Sequence, residues 1–550
     1  TKLLDAEYVY HFEVIPIPGL YLNGYLDSDK NFQLGVRTNL LQYFAGSKSL
    51  SDKKGNHLGT TTFFGTTDLR QPSIIKEKPR RLALAVSGHP HENPSRPLLG
   101  KRKTSFISIL LKIYRAAEDP SISEMVLSLD RLSFGMGQAQ EFREALTYFK
   151  NNGKKITCHL SYPNNISYYI GSVCSEILIP PVSQLNLVGL RAELTFYTGT
   201  MEKLGIDFEL LRIGKYKTAP ESFTRKAATE ENKKQINRQL DDLYRQFVTG
   251  IAEGRSITED SVRKIIDNGP FTSKEALEYG LVDGLSYRDE VDNNFLTKMP
   301  EISFQRYLTD TLMNDDWQVK PSIAVIVAKG DVTSDRTSSS LLGSDSDVTP
   351  SKMKKAFRRA LQDKDVKGIV LRIDSPGGMA LIGDEIYHLA QKAAEKKPVV
   401  VSMANIAASG GYYIAMSGRH IYANPATITG SIGIYGGKVN LSQLYQKINL
   451  GKELYTRGKF AGMFTSIRPF SDEEHEKYFS QLKAMYGHFI SLVAENRNLT
   501  VDSVDNLAQG RVWTGKEAQV NGLIDELGGL KPSVDFAAGR LMLDDYQIKI

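Results

Sequence analysis

"GIVLRIDSPGGMA", residues 368–380, is an apolar β-branched strand that ends in an aspartate and a glycine turn. The same pattern occurs earlier in the chain, at "EMVLSLDRLSFGMG" (124–137). Other stretches recur at a constant spacing of 244 residues (411 − 167 and 456 − 212): "SYYIGSV" (167–173) as "GYYIAMS" (411–417), and "RIGKYK" (212–217) as "TRGKFA" (456–461). The 550-residue chain therefore contains two copies of one module.

Each copy alternates short β-branched strands with amphipathic helices. This pattern predicts βαβ units and an α/β fold with mainly parallel sheets. We expect an N-terminal module at 79–305 and a C-terminal module at 306–550. Residues 1–78 lie outside the repeat, and their alternating stretches predict a small β-rich extension.

Composition narrows the class of protein. Charged residues make up 24% of the chain and hydrophobic residues 41%, which is typical of a globular protein. The net charge of +6 suits contact with an anionic surface such as lipid headgroups, but it is too diluted along the chain to indicate nucleic-acid binding. Cys158 and Cys174 have no metal-like spacing, and we expect buried free thiols. Because no apolar run approaches the length of a membrane span, we expect the chain as given to be soluble.

Two reactive side chains are distributed unequally between the copies. Ser409 of the second copy aligns with Asn165 of the first, and Lys217 of the first aligns with Ala461 of the second. Each copy thus has one candidate group and lacks the other. We expect one composite site that takes its serine from one module and its lysine from the other.

A serine hydroxyl is a weak nucleophile until a base accepts its proton. Burial disfavours a charged lysine and lowers its pKa, so that a neutral amine can act as that base. The neighbours of Lys217 include Tyr216 and Phe223, which are compatible with burial. Ser431 is a candidate to orient the amine, although a serine also often bonds to nearby backbone. The glycine turn at 374–378 and the amides after Ser409 could donate hydrogen bonds to an oxyanion.

Five ordered motifs together resemble the signal peptide peptidase A (protease IV) family, in its long tandem-duplicated form. The resemblance covers roughly residues 80–540, and it rests on "IDSPGGMA", "NIAASGGYYIAM", "NPATITGSIGIYG", "RIGKYKTAPE" and "AQGRVWTGKEA". It implies two ClpP/crotonase-like modules and a membrane-associated serine endopeptidase that degrades cleaved signal peptides and needs no cofactor or metal. It also implies a homotetramer on the periplasmic or extracytoplasmic face of a bacterial inner membrane, or alternatively at a plastid thylakoid.

The resemblance also assigns roles to individual residues. The nucleophile of the family falls on Ser409 and its general base on Lys217. The hydroxyl that orients the lysine falls on Ser431. The oxyanion amides fall on Gly377 or Gly378 and on Gly410. Family members usually carry an N-terminal transmembrane anchor, and the first 78 residues show none, so the mode of anchoring is left open.

Two other classes of function fit the sequence. A crotonase-type acyl-CoA enzyme would share the paired-amide oxyanion hole, but it would not need a serine and a lysine. A catalytically silent scaffold could bind peptides or lipid. Labelling with a fluorophosphonate distinguishes these classes, because only a serine activated by a base reacts rapidly.

Overall fold

The computed structural model describes residues 9–67, 71–93, 104–292, 299–309, 319–335 and 347–550. Residues 1–8 and 68–70 of the N-terminal extension lie outside the described residues. The rest of the extension forms a five-stranded antiparallel sheet in which each strand pairs with the next along the chain. Its strands are β1 (Tyr10–Ile17), β2 (Leu20–Leu26), β3 (Phe32–Leu40), β4 (Tyr43–Ser51) and β5 (His57–Thr66).

The first module is built around a six-stranded sheet in the order β13-β9-β8-β7-β6-β14, with every neighbouring pair parallel. Its elements are β6 (Arg80–Ser87), α1 (Phe106–Glu118), β7 (Ile122–Asp130), α2 (Met136–Asn151), β8 (Lys155–Leu160), α3 (Asn165–Gly171), β9 (Glu176–Ile179), β10 (Gln184–Leu185), α4 (Thr198–Leu204), β11 (Asp207–Ile213), α5 (Glu221–Thr224), α6 (Glu230–Arg255), α7 (Glu259–Asn268), β12 (Phe271–Thr272), α8 (Ser273–Glu278), β13 (Gly284–Leu285), α9 (Arg288–Asp292), β14 (Glu301–Ser303) and α10 (Phe304–Thr309).

The second module has the same alternation of strands and helices, built around an eight-stranded sheet. Six of its strands are neighbours in the order β21-β19-β17-β16-β15-β23. The short strands β18 and β22 continue the sheet beside the first half of β17. Its elements are β15 (Ser322–Lys329), α11 (Pro350–Gln362), β16 (Val366–Ser375), α12 (Ala380–Ala394), β17 (Val399–Ala408), α13 (Gly410–Ala415), β18 (Ile421–Ala423), β19 (Ile428–Gly430), β20 (Ile434–Asn440), α14 (Ser442–Lys447), α15 (Asp472–Arg497), α16 (Val501–Leu507), β21 (Val512–Thr514), α17 (Gly515–Val520), β22 (Glu526–Leu527), α18 (Leu530–Arg540) and β23 (Gln547–Lys549).

The central strands of the second module are buried on both faces. The neighbouring residues Ile369 and Val370 in β16 point to opposite faces and are both fully buried, as is Val401 in β17. This burial explains the continuous apolar runs of these strands. In the first module, the end of β6 alternates between buried and exposed residues, and Ser87 is exposed. The predicted α/β class with mainly parallel sheets is confirmed.

The two modules are joined by a strand pairing that crosses between them. In this pairing β11 of the first module runs antiparallel to β20 of the second over seven residue pairs, from Asp207 opposite Asn440 to Ile213 opposite Ile434. Helix α2 also packs against β17. The modules therefore meet along the strand that leads directly to Lys217.

Two further expectations concern thiols and membrane spans. Cys158 and Cys174 are buried free thiols, as predicted. Among the described residues, no helix combines the length and the apolar composition that crossing a bilayer requires.

Candidate active site

Ser409 lies at the sharp junction between strand β17 and helix α13. Its φ of 53° and ψ of −118° are unusual for a residue with a Cβ atom. The backbone holds this conformation from both sides, because Ser409 N donates to Gly430 O and Tyr413 N donates to Ser409 O, each at 2.8 Å. The next residues must be small, since a Cβ atom on Gly411 would lie 2.5 Å from Ser375 O. The turn presents the hydroxyl at the start of a helix.

Lys217 reaches this hydroxyl from the other module. After β11 the chain turns at Gly214, where φ is 103° and a Cβ atom would clash with the backbone of Gln509. Tyr216 N donates to Gln509 O at 2.8 Å, and the Arg511 guanidinium lies 4.1 Å from the centre of the Tyr216 ring. The loop that carries the lysine is therefore fixed on residues 509–511 of the second module.

The lysine amine has three oxygen neighbours at the same distance. Lys217 Nζ lies 3.0 Å from Ser409 Oγ, 3.0 Å from Ser431 O and 3.0 Å from Ser431 Oγ. The side chain is only 4% exposed, and burial lowers the pKa of Lys217 to about 8. A neutral amine has two N–H bonds and one lone pair. It can donate to both oxygens of Ser431 and accept a proton from Ser409.

The glycine turn places backbone amides beside Ser409. The amide of Gly377 is engaged, because it donates to Ser375 Oγ at 3.2 Å. Gly378 and Gly410 differ, since their amides have no hydrogen-bond acceptor within the described chain. These two amides are near each other, as a Cβ atom on Gly410 would lie 3.2 Å from Gly378 N. Of the two alternatives that the sequence left open in the turn, the geometry favours Gly378 over Gly377.

These groups line a cleft of about 660 Å³. Apart from the reactive groups, its wall is mainly apolar and aromatic, formed by Met379, Tyr413, Ile434, Tyr435 and Phe489. Among the described residues there is no group of three or more His, Cys, Asp or Glu side chains that could hold a metal ion. The cleft can hold a short apolar chain across the serine.

In the first module, Asn165 occupies the position that is equivalent to Ser409. Asn165 uses its side chain to fix nearby backbone, since Nδ2 donates to Gly189 O at 2.6 Å and Oδ1 accepts from Val188 N at 3.0 Å. Ala461, the counterpart of Lys217, lies exposed on the surface. The structure thus brings Ser409, Lys217 and Ser431 together once in the described chain.

One buried ionic cluster was not predicted from the sequence. Arg372 in β16 is fully buried, and it contacts Glu92 at 3.2 Å and Glu141 at 2.5 Å, both from the first module. Burial opposes its charge, but attraction from the two carboxylates prevails and raises the pKa of Arg372. The sequence contains one indication of this cluster, namely a cation in the middle of the apolar strand "GIVLRID". A buried cation of this kind needs a buried partner of opposite charge.

A second unpredicted network supports the loop of the lysine. Arg212 donates to Lys217 O at 3.2 Å and to Glu221 Oε1 at 2.8 Å. The Glu221 carboxylate also accepts from Thr229 Oγ1 and Asn232 Nδ2. These bonds tie the backbone of Lys217 to the start of α6.

The chain thus consists of two ClpP/crotonase-like modules, and the cleft between them places a serine hydroxyl beside a buried lysine. The model of the family described as "Peptidase family S49" matches the chain twice, at residues 148–298 and 391–542. The chain therefore belongs to peptidase family S49. The predicted tandem-duplicated family and the predicted class of serine peptidase are both confirmed.

Curated relatives match most of the chain. The chloroplastic serine protease SPPA of Arabidopsis thaliana is 34% identical over 77% of this chain, and the match spans 64% of the plant protein, slightly less than two thirds. Protease 4 of Salmonella typhi is 30% identical over 81% of this chain and 74% of its own length. Protease 4 of Haemophilus influenzae is 29% identical over 79% of this chain and 73% of its own. These relatives come from bacteria and from a chloroplast.

Solved structures match over about one module. A ClpP1 mutant from Listeria monocytogenes covers 38% of this chain and 94% of its own, at 14% identity and a TM-score of 0.25. A mutant of the 1510-N membrane-bound stomatin-specific protease covers 40% of this chain and 86% of its own, at 19% identity and a TM-score of 0.26.

Proposed function

We propose that this chain is an endopeptidase in which Ser409 is the nucleophile and Lys217 is the general base. The observation that carries the proposal is the distance of 3.0 Å between Lys217 Nζ and Ser409 Oγ, for a lysine that is almost completely buried. In the part of the chain that the structure describes, no charged partner holds the amine, and burial lowers its pKa. A substantial fraction of the amine is therefore neutral at mildly alkaline pH.

The reaction follows from the positions of these groups. The neutral amine takes the proton of Ser409 as Oγ attacks the carbonyl carbon of the substrate, and the negative charge develops on the carbonyl oxygen. The free amides of Gly378 and Gly410 would donate to that oxygen, and the N-terminus of α13 adds a favourable partial charge. The lysine then gives its proton to the leaving amine. Water attacks the acyl-enzyme with the same lysine as base.

Ser431 has the role of a positioning residue. Its Oγ and its carbonyl oxygen both accept from Lys217 Nζ, so two directions around the nitrogen are occupied. The lone pair of the neutral amine then points at Ser409. Ser431 itself has a φ of 50°, a left-handed conformation that the surrounding backbone maintains.

We propose cleaved signal peptides and other short apolar peptides as substrates. The apolar wall of the cleft supports this proposal, because the central part of a signal peptide is a run of apolar side chains. A further relative, from Enterococcus faecium, has the name "Putative signal peptide peptidase SppA" and supports it as well; it is 33% identical over 35% of this chain and 56% of its own length.

Labelling with a fluorophosphonate tests this function. We expect the wild type to react, Ser409→Ala not to react, and Lys217→Ala to react at least 100-fold more slowly, as is usual when a general base is removed. Lys215→Ala is the matched control, because Lys215 is exposed two residues away and its removal should leave the rate unchanged. Equal labelling of all four proteins would eliminate the mechanism.

We further propose that the enzyme works as a homotetramer on a membrane surface, on the extracytoplasmic face of a bacterial inner membrane or at a thylakoid. The division into residues 1–78, 79–305 and 306–550 is part of the same proposal.

The N-terminal sheet supports contact with lipid. Along β1, β2 and β3, one face carries large apolar side chains that are all more than a third exposed: Tyr10, Phe12, Val14, Leu22, Leu26, Phe32, Leu34 and Val36. An apolar face of this extent is typical of an interaction surface.

Flotation with lipid vesicles tests the membrane contact. We expect the wild type to float with vesicles that contain anionic lipid, and the double variant Val14→Glu/Leu34→Glu to remain in solution. Val520→Glu is the control, because Val520 is even more exposed than Val14 and Leu34 but lies far along the chain in α17. Equal flotation of all three proteins would exclude the sheet as the contact, and equal cleavage of a soluble peptide confirms that the variants are folded.

A further inference from the structure

A short segment of the second module, residues 509–511, supports the loop that carries the lysine. We name it the support segment. Gln509 O accepts from Tyr216 N at 2.8 Å. Gly510 lies so close to Lys217 that a Cβ atom on the glycine would be 2.4 Å from Lys217 N. The backbone of the lysine is thus in direct contact with this segment.

The same segment also holds the residue that orients the amine. Ser431 N donates to Arg511 O, and Gly510 N donates to Ile432 O, each at 2.8 Å. These two bonds join residues 431–432 to the support segment. Lys217 and Ser431 therefore take their relative positions from the same three residues.

Two helices fix the start of the support segment. Gln509 has a φ of 53°, a left-handed conformation that is uncommon for a residue with a Cβ atom. Its Nε2 donates to Asp505 Oδ1 of α16 at 2.7 Å, and its backbone N donates to Tyr486 Oη of α15 at 3.3 Å. The start of the segment is therefore anchored within the second module.

The side chain of Arg511 extends from the other end of the segment to the lysine loop. Its guanidinium lies 4.1 Å from the centre of the Tyr216 ring and 5.3 Å from the centre of the Trp513 ring. A guanidinium is attracted to the face of an aromatic ring, and its flat shape allows it to lie against one. Tyr216 belongs to the first module and Trp513 to the second. Arg511 thus connects the module that carries the base to the module that carries Ser409.

The internal repeat shows that only one module has this arginine. The stretch "FTSKEA" (271–276) recurs as "WTGKEA" (513–518), at a spacing of 242 residues (513 − 271). At this spacing Arg511 aligns with Gly269, which has no side chain. The module with Ser409 therefore has the arginine, and the module with Asn165 in the equivalent position lacks it.

We propose that Arg511 is a positioning residue of the reaction, which keeps Lys217 in place by holding the ring of Tyr216. The inference rests on the proposed function, because it concerns the base assigned there. Lys217 Nζ lies 3.0 Å from Ser409 Oγ. A displacement of about 1 Å at such a contact can lower a rate about 100-fold. A looser loop would also let water reach the amine, which favours the charged form and raises the pKa of Lys217.

The kinetics of Arg511→Ala test this contact. We expect kcat for peptide cleavage to fall about tenfold or more, with KM within about a factor of two of the wild type. The midpoint of the pH profile of kcat/KM should move upward by about half a pH unit, because the amine is better hydrated. Arg511→Lys keeps the charge but loses the flat group, so we expect its kcat to lie between those of the wild type and Arg511→Ala.

Arg238→Ala is the matched control. The Arg238 guanidinium also lies against the Trp513 ring, at 4.1 Å from its centre, and it pairs with Glu517 at 3.6 Å. Its removal takes away a cation of the same kind from the same ring. We expect the kcat and the midpoint of this variant to match those of the wild type.

A double variant shows whether Arg511 acts through the ring. Tyr216→Leu removes the ring, and we expect it to lower kcat by a factor similar to that of Arg511→Ala. Because the two side chains act through one contact, Tyr216→Leu/Arg511→Ala should lose no more activity than the less active single variant. If Arg511→Ala does not fold, Tyr216→Leu tests the same contact from the first module.

Fluorophosphonate labelling of the wild type separates this inference from the proposed function. Where Ser409 of the wild type is labelled, an Arg511→Ala variant with an unchanged kcat or an unmoved midpoint overturns the inference. An equal loss of activity in Arg238→Ala also overturns it, and so does a double variant whose loss is the product of the two single losses. A wild type that is not labelled refutes the proposed function instead.

Discussion

Lys217 is the residue whose surroundings decide what Ser409 can do. Its pKa is lowered by burial, and three oxygen atoms at 3.0 Å surround its nitrogen. The sequence predicted this pair because each module lacks the group that the other keeps. It could not predict which glycine amide is free, since that depends on the bond from Gly377 N to Ser375 Oγ. Nor could it predict that the Ser431 carbonyl shares the amine with the Ser431 hydroxyl.

The first prediction concerns Ser431. In Ser431→Ala the amine loses one of its two acceptors and keeps the carbonyl oxygen of residue 431. We expect kcat for peptide cleavage to fall about tenfold, which corresponds to about 1.4 kcal/mol, while KM stays within a factor of two. An unchanged kcat would show that the hydroxyl has no part in orienting the base.

The second prediction concerns the cost of burying the lysine. Because the pKa of Lys217 is about 8 in the folded chain, against 10.5 for an ordinary lysine, the unfolded chain binds more protons between these values. The stability of the wild type therefore rises with pH through this range. Compared with Lys217→Met, we expect the free energy of unfolding to increase by about 2 to 3 kcal/mol from pH 7 to pH 10. Denaturant titrations at several pH values measure this difference, and parallel curves would contradict the depressed pKa.

At the scale of elements, the pairing of β11 with β20 determines where the lysine lies. The periodicity of the sequence predicted the alternation of strands and helices within each module, because that pattern depends on nearby residues. It could not predict the pairing of β11 with β20, which joins segments more than two hundred residues apart. The alternation of apolar and polar residues in the extension predicted that it is rich in β-strands. The order of these strands depends on the turns and on the register of pairing, which the alternation does not determine.

The third prediction tests that pairing. Gly437 in β20 packs so closely against β11 that a Cβ atom would clash with the carbonyl oxygen of Glu209. We expect Gly437→Ala to separate the two strands, move Lys217 away from Ser409 and reduce kcat at least tenfold. Gly59→Ala is the matched control, since this strand glycine has open space around its Cβ position. Equal activity of the two variants would show that the pairing does not position the base.

At the scale of the whole molecule, the two modules are held together by a buried ionic cluster as well as by strands. Arg372 lies between Glu92 and Glu141, and it also donates to Ser402 Oγ at 2.9 Å. Burial raises the pKa of Glu141, while the charge of Arg372 opposes this rise. The cluster joins the first module to β16, the strand that leads into the glycine turn beside Ser409.

The fourth prediction follows from this cluster. Arg372→Met leaves two buried carboxylates without their cation, and we expect the free energy of unfolding to fall by about 3 kcal/mol or more. The triple variant Arg372→Met/Glu92→Gln/Glu141→Gln should recover part of this loss, because no buried charge is left unpaired. The midpoints of denaturant unfolding curves measure the relative stability of the wild type, the single variant and the triple variant. A single variant as stable as the wild type would contradict the role of the cluster.

The pH dependence of peptide cleavage tests most directly whether a neutral lysine activates Ser409. The rate constant kcat/KM of the wild type should rise about tenfold per pH unit below pH 8 and level off above it, because Lys217 must lose its proton before it can act as a base. In Lys217→Ala the remaining activity should not show this rise. A wild-type profile that falls from neutral to alkaline pH, or that is unchanged in Lys217→Ala, would contradict the account.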